Sequence, residues 1–235
     1  MLKIQNLTKK YGKKVAVENL SLCVNPGDIY GFIGHNGAGK TTTIKAATGV
    51  IPFEQGEIFI NGISLKSDPV KAKMQFAYIP DNPDLYDSMT GIKFLNFVSD
   101  IYEVDAVTKS ENIKKYGDAF ELTPVLGSQI SSYSHGMKQK LAIIAALSHN
   151  PKLLVLDEPF VGLDPKASFT LKEIMKELCA KGGAVFFSTH VLEVAEKLCT
   201  RIAIIKNGNL VREGITSEVV GDSSLEHIFL DLIKE

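Results

Sequence analysis

The segment Gly34-His35-Asn36-Gly37-Ala38-Gly39-Lys40-Thr41 sets three glycines, a lysine and a hydroxyl at the spacing G-x-x-x-x-G-K-[ST]. Each residue type answers a need of phosphate chemistry. Glycines let the backbone approach an anion where a Cβ would clash. The loop's N–H groups face inward, and a helix starting at its end adds the positive end of its dipole. Lys40 has the reach for β- and γ-phosphates, and the Thr41 hydroxyl is a hard oxygen ligand suited to Mg²⁺. A chance match in a Gly-rich turn would lack the right flanks. Here the apolar run Ile29-Tyr30-Gly31-Phe32-Ile33 leads in, and a helical stretch from Thr42 to residue 48 leads out and stops at Gly49.

Three further groups lie downstream. Leu153-Leu154-Val155-Leu156-Asp157-Glu158-Pro159 is an apolar strand ending in two carboxylates. In open α/β sheets such strand ends open onto the ligand crevice. Asp157 can hold Mg²⁺ through its water shell, and Glu158 can polarise an attacking water. Ser134-His135-Gly136-Met137-Lys138-Gln139 opens a helix, with Ser134 as N-cap, and makes a second anion site. Either the chain binds two anions, or each site serves half of one ligand. His190 follows Phe186-Phe187-Ser188-Thr189, again at a strand end, and is a candidate for the γ-phosphate.

The elements that must position these residues follow from punctuation and period. Residues 2–7 and 20–24 read as short strands, with a turn at Tyr11-Gly12-Lys13-Lys14. Pro26-Gly27-Asp28 turns the chain into the strand before the glycine loop. Residues 57–60 form a strand ending at Asn61-Gly62, and residues 75–79 form another, stopped by Pro80-Asp81-Asn82-Pro83. Helical spacing then takes over. Thr90 caps a helix carrying Phe94, Leu95, Phe97, Val98 and Ile101, a second covers residues 107–120, and a third follows Ser134. After Pro151, strands are expected over residues 153–156, 184–187 and 202–205, with helices over 165–180 and 191–198 between them and a hairpin turn at Asn207-Gly208. The expected division is a core of residues 1–81 and 151–235, including an antiparallel β-subdomain, and an inserted helical subdomain over residues 82–150.

Composition sets the frame. The 235 residues are 45% hydrophobic and 23% charged, which suits a soluble α/β domain with an ample core. A net charge of −1 gives no electrostatic case for nucleic acid. Cys23, Cys179 and Cys199 are widely spaced and lack a C-x-x-C pair, so they read as buried reduced thiols of a cytoplasmic protein. The apolar run over residues 141–147 falls far short of the roughly 18 residues that span a bilayer. Work at a membrane would therefore need another chain to hold this one there.

Taken together and in order, these groups resemble the nucleotide-binding domain of an ABC transporter. The resemblance covers nearly the whole chain: the phosphate loop of residues 34–41, the signature helix from Ser134 to Gln139, Asp157 and Glu158, the loop Gly162-Leu163-Asp164-Pro165, and His190. It implies a P-loop NTPase fold of the α/β class, with ATP and Mg²⁺ as ligands. The nucleotide contacts it implies are Tyr11 stacking on adenine, then Gly34, His35, Asn36, Gly37, Ala38, Gly39, Lys40, Thr41 and Thr42. Two such domains would pack head to tail, so that Ser134, Gly136 and Asp164 meet the nucleotide of a partner domain. Each half-site then serves one ligand. Glu158 resembles the general base, a role worth on the order of 10²–10⁴ in rate. His190 resembles the γ-phosphate sensor, and Lys40 with Mg²⁺ would supply most of the charge neutralisation. The metal set implied is Thr41, Asp157 and Asp81.

Two positions depart from the family pattern. Asp81 stands where glutamine is usual, so an amide ligand is lost and contact with Mg²⁺ must run through water. His135 stands where the signature usually has glycine. An imidazole near a triphosphate would add a pH-dependent contact, and His135→Gly would then flatten the pH profile of hydrolysis between about pH 6 and 7.5.

The function implied is the ATP-hydrolysing subunit of a membrane transporter, docked from the cytoplasmic face on a membrane-spanning permease and paired with a second ATP-binding subunit. Leu85, Tyr86 and Met89 lie where the family receives the permease. The tail, residues 224–230, is similar to that of multidrug-type exporters, which implies export. The competing reading is a soluble ABC ATPase with a scaffold role. A GTPase switch would need an Asn-Lys-x-Asp motif, which the chain lacks.

Overall fold

The computed structural model describes residues 1–234. The chain opens with β1 (Leu2–Tyr11) and β2 (Lys14–Val24), an antiparallel pair turned at Gly12, whose φ is 59°. Next come β3 (Ile29–Ile33), α1 (Lys40–Ala47), β4 (Gln55–Ile60) and β5 (Ile63–Ser64). Then follow α2 (Pro69–Lys73), β6 (Phe76–Ile79), α3 (Gly91–Ile101), α4 (Ala106–Ala119) and α5 (His135–Ser148). The chain continues through β7 (Leu153–Asp157), α6 (Pro165–Ala180), β8 (Ala184–Thr189) and α7 (Leu192–Leu198). It ends with β9 (Arg201–Lys206), β10 (Asn209–Ile215), α8 (Thr216–Val220) and α9 (Leu225–Lys234).

The strands form two sheets, in the orders β2-β1-β4-β5 and β10-β9-β3-β8-β7-β6. The first is antiparallel throughout. In the second, β9, β3, β8 and β7 run parallel, and β10 closes the edge antiparallel. Strands β3, β7 and β8 are buried at every residue, as their unbroken apolar runs require. Phe186 packs its ring on Phe32 and Tyr30 at 5.5 and 5.8 Å. Burial and the neighbouring Glu213 push the Tyr30 phenol far up, so it remains a donor, to Glu213 at 2.8 Å.

β1 and β2 run further than their hydrophobic patterns suggest. Lys9 is polar but buried, with its ammonium 3.0 Å from Glu54, so the ladder passes through it. Asn6 and Asn19 absorb the register shifts in the left-handed region, with φ of 51° and 47°. The expectation of three buried thiols is corrected at one position. The β2 alternation turns Leu22 and Val24 inward and Cys23 outward, so Cys23 is exposed, while Cys179 and Cys199 are buried.

Contacts divide the chain into two units. The first comprises Met1–Tyr78, Lys152–Pro159 and the chain from Met175 onward, and it holds nearly all of both sheets. The second comprises Ile79–Pro151 and Phe160–Ile174, and it is helical. Within the second unit, Thr90 caps α3 by accepting the Lys93 N–H, Asp105 caps α4, and Ser134 caps α5 by accepting the Met137 N–H. Among the described residues, no helix is long and apolar enough to cross a membrane.

Candidate active site

Strand register gathers the chemistry of the first unit. β8 lies between β3 and β7, and Ser188 is level with Phe32 on one side and Asp157 on the other. Three parallel strands therefore end together. The residues that follow them are the glycine loop, Glu158 and His190.

The loop is fastened from below. Ala38 donates its N–H to His35 O at 3.1 Å and accepts the Gly208 N–H at 2.8 Å, so the β9–β10 turn supports it. Gly39 has φ 112°, and a Cβ there would meet the Ala16 carbonyl oxygen at 2.7 Å. Gly34 has the same constraint, from the Ile205 carbonyl oxygen at 2.7 Å. The Lys40 ammonium donates to Gly34 O at 2.7 Å and to His35 O at 3.4 Å, and is almost wholly buried. The helix expected from Thr42 begins earlier, at Lys40, which places Thr41 in its first turn.

Glu158 joins both sides of the crevice. One carboxylate oxygen lies 3.5 Å from Lys40 Nζ, and the other lies 3.0 Å from His190 Nδ1 and accepts the His190 N–H at 3.4 Å. Glu158 has φ 48°, an uncommon conformation for a residue with a Cβ. Asp157 is fully buried and accepts a hydrogen bond from Ser188 Oγ. A buried cation, a carboxylate and an imidazole converge here with a backbone N–H cradle. That set can bind a polyphosphate and take a proton from water. Thr41 and Asp157 are hard oxygen donors of the kind Mg²⁺ takes. Among the described residues no group of three His, Cys, Asp or Glu forms a metal cage, so an ion here would complete its shell from phosphate and water. Tyr11 is half exposed, with Lys9 Nζ 5.2 Å over its ring.

The helical unit holds the second cluster. Ser134 is exposed at the start of α5. The His135 ring lies against Gly162, where a Cβ would stand 2.7 Å from Cδ2, and Gly162 has φ 80°. A Cβ on Gly136 would meet the Gly162 carbonyl at 2.9 Å. Lys140 holds Asp164 at 2.6 Å, and Asp164 caps α6 by accepting the Ala167 N–H at 2.8 Å. The hydrogen bond from Lys140 is the main cause that lowers the Asp164 carboxyl below the usual aspartate range. The signature helix and the 162–164 loop are thus one fastened piece. Asp81 is exposed in this unit and accepts the Asn82 N–H at 2.9 Å.

Reading the sequence alone missed Ser188 and Lys140. A hydroxyl closing an otherwise apolar strand was the signal for Ser188. Lys140 carried none beyond its place one turn after Gly136.

A family profile described as ABC transporter matches residues 17–161. The chain is 35% identical over 240 residues to the ABC-type transporter ATP-binding protein EcsA of Bacillus subtilis (strain 168), covering all of this chain and 97% of that protein. It is 35% identical to the linearmycin resistance ATP-binding protein LnrL of the same organism, covering 96% of this chain and 74% of that one. Among solved structures, an ATP binding subunit of an ABC transporter superposes with a TM-score of 0.95 at 34% identity, covering 99% of each chain. A dimeric ATP-binding cassette bound to ADP and Pi shares the fold, with a TM-score of 0.83 at 23% identity, over 92% of this chain and 99% of that one.

Proposed function

From the premise that this chain belongs to the ABC transporter ATP-binding family, we propose that it powers a membrane-spanning permease by binding and hydrolysing ATP between two cassettes, and that the direction is export. One observation carries the hydrolytic reading: Glu158 sits within ion-pair distance of both Lys40 and His190 at the ends of adjacent parallel strands.

Each residue then has a task. Tyr11 stacks on the base. Residues 34–42 wrap the phosphates with backbone N–H groups, and Lys40 turns its ammonium from Glu158 to the γ-phosphate. Glu158, released from Lys40, orients a water and accepts its proton. His190 keeps the other Glu158 oxygen in place and turns toward the γ-phosphate. Thr41 and Asp157 would hold Mg²⁺, which would supply charge neutralisation at the polyphosphate. Asp81 enters this reading only through its place in the sequence. Ser134 and Gly136 of one cassette cover the nucleotide on the other, and the 162–164 loop moves with them because Lys140 fastens it.

For the permease, the helical unit offers an aromatic surface. Tyr86 is exposed and stands edge-on to Phe97 at 5.9 Å, and Phe97 and Ile101 are themselves exposed. Leu85 and Met89 beside them are half-buried. Docking there would place the chain on the cytoplasmic face of the membrane. A relative named for linearmycin resistance supports export, because expelling a toxic compound is one way to resist it.

The test is capture from native membranes in mild detergent, using Glu158→Gln with MgATP to hold the paired state. A multi-span membrane protein recovered in near-equal amount supports the reading. Recovery from the soluble fraction, with soluble partners alone, overturns the transport part and favours the scaffold.

A further inference from the structure

We propose that Ser188 is a positioning residue that sets both carboxylates of the site at once, Asp157 and Glu158. The inference rests on the hydrolytic reading of that site.

Ser188 is fully buried on β8, between the two strands whose ends carry the chemistry. A buried hydroxyl in such a place must find partners. Its proton goes to Asp157 Oδ1, at 2.5 Å. Its oxygen accepts the Glu158 N–H at 3.0 Å. Ser188 thus acts as donor to the side chain of one acid and acceptor for the backbone of the next.

The second bond matters because of the Glu158 backbone. Asp157 is the last residue of β7 and still pairs level with Ser188. At Glu158 the chain leaves the extended region for φ 48°. The Glu158 N–H, just past the last ladder pair, bonds a side-chain oxygen, and a part-buried N–H needs an acceptor. Ser188 Oγ supplies it. The same turn sends the Glu158 carboxylate toward Lys40 and His190 rather than along the strand. One hydroxyl therefore satisfies the Glu158 backbone N–H and holds the orientation of the Asp157 carboxylate. Substituting alanine removes both bonds while leaving the nucleotide loop untouched.

The experiment compares purified wild type with Ser188→Ala, Ser188→Cys and Ser188→Thr. Two readouts are taken beside melting temperature: kcat and KM for MgATP hydrolysis, and the affinity of the ADP-bound protein for Mn²⁺ by electron paramagnetic resonance. Loss of a group that orients a ligand and its neighbour typically costs about 10–100-fold. The expected result for Ser188→Ala is a kcat drop of that size with KM changed less than about threefold, and weaker Mn²⁺ binding. Ser188→Thr keeps the hydroxyl and restores most of both, and Ser188→Cys, a weak donor of similar size, falls between. Wild-type kcat and Mn²⁺ affinity in Ser188→Ala would overturn the inference. If Ser188→Ala does not fold, Ser188→Cys decides: reduced kcat at unchanged melting temperature supports the inference, and wild-type kcat overturns it. A wild-type protein without ATPase activity defeats the hydrolytic reading instead, so the two failures are distinct.

Discussion

The Lys40 ammonium lies 3.5 Å from a Glu158 oxygen, across the one strand, β8, that separates β3 from β7. The pair is nearly shielded from solvent, so it is screened far less than a surface ion pair. Lys40 is also bonded to the Gly34 carbonyl, which leaves it poised at the mouth of the loop rather than extended into solvent. Phosphate and carboxylate compete for the same cation. A nucleotide that draws Lys40 onto its phosphates is therefore expected to release Glu158.

The loop glycines should not respond alike to alanine. Gly39→Ala sets a Cβ at 2.7 Å from the Ala16 carbonyl, at φ 112°. Loss of nucleotide binding is expected, with destabilisation of about 3 kcal/mol or more. Gly37→Ala has the same backbone problem, with φ 83°, but meets nothing within 4 Å. Its cost should stay near the conformational term, about 1–2 kcal/mol, with nucleotide binding retained. Denaturant unfolding and fluorescent-nucleotide titration of both variants check the contrast.

Lys140→Met frees Asp164, whose carboxylate it holds at 2.6 Å. Neither residue belongs to the first unit. The affinity of an isolated cassette for ATP should therefore be unchanged, within about twofold, while hydrolysis by paired cassettes falls roughly 3–30-fold through loss of one charge-assisted contact. Equal loss of ATP affinity would mean that the contact serves the fold rather than the pairing surface.

His149 gives the helical unit a pH response. Its ring stacks on Tyr102 at 3.6 Å, nearly parallel, and burial pushes the imidazole down to about 4. The unfolded chain takes up this proton near pH 6.5, before the folded chain does. The stabilisation is therefore complete above about pH 6.5 and is lost as pH falls toward 4. By pH 5 the loss is on the order of 2 kcal/mol. His149→Phe keeps the stack without the proton, so its stability should change less between pH 7 and pH 5. Far-UV circular dichroism in denaturant measures this, since the chain has no tryptophan.

Sequence punctuation located some elements to the residue. β3 runs over Ile29–Ile33 and α6 over Pro165–Ala180, because a Pro-Gly turn precedes one and Pro165 opens the other. Helix α2 went unseen although Asp68-Pro69 is a cap followed by an N1 proline, for its five residues show no helical period. The sequence pattern ends β1 at Leu7 because Lys9 and Lys10 look like a loop. Their partner Glu54 is 45 residues away, and only the fold brings it. The placement of the glycine loop, the two acids and His190 at strand ends was legible, since each motif is local. Ser188 was not, because its meaning lies in a bond to Asp157 on another strand.

If Glu158 takes a proton during ATP hydrolysis, phosphate release with MgATP must differ between wild type and Glu158→Gln. Size-exclusion chromatography of the same samples reports pairing. The expected change for Glu158→Gln is a drop of about 10²–10⁴ in rate, with ATP still bound and a stable dimer formed. Hydrolysis at the wild-type rate in Glu158→Gln would contradict it.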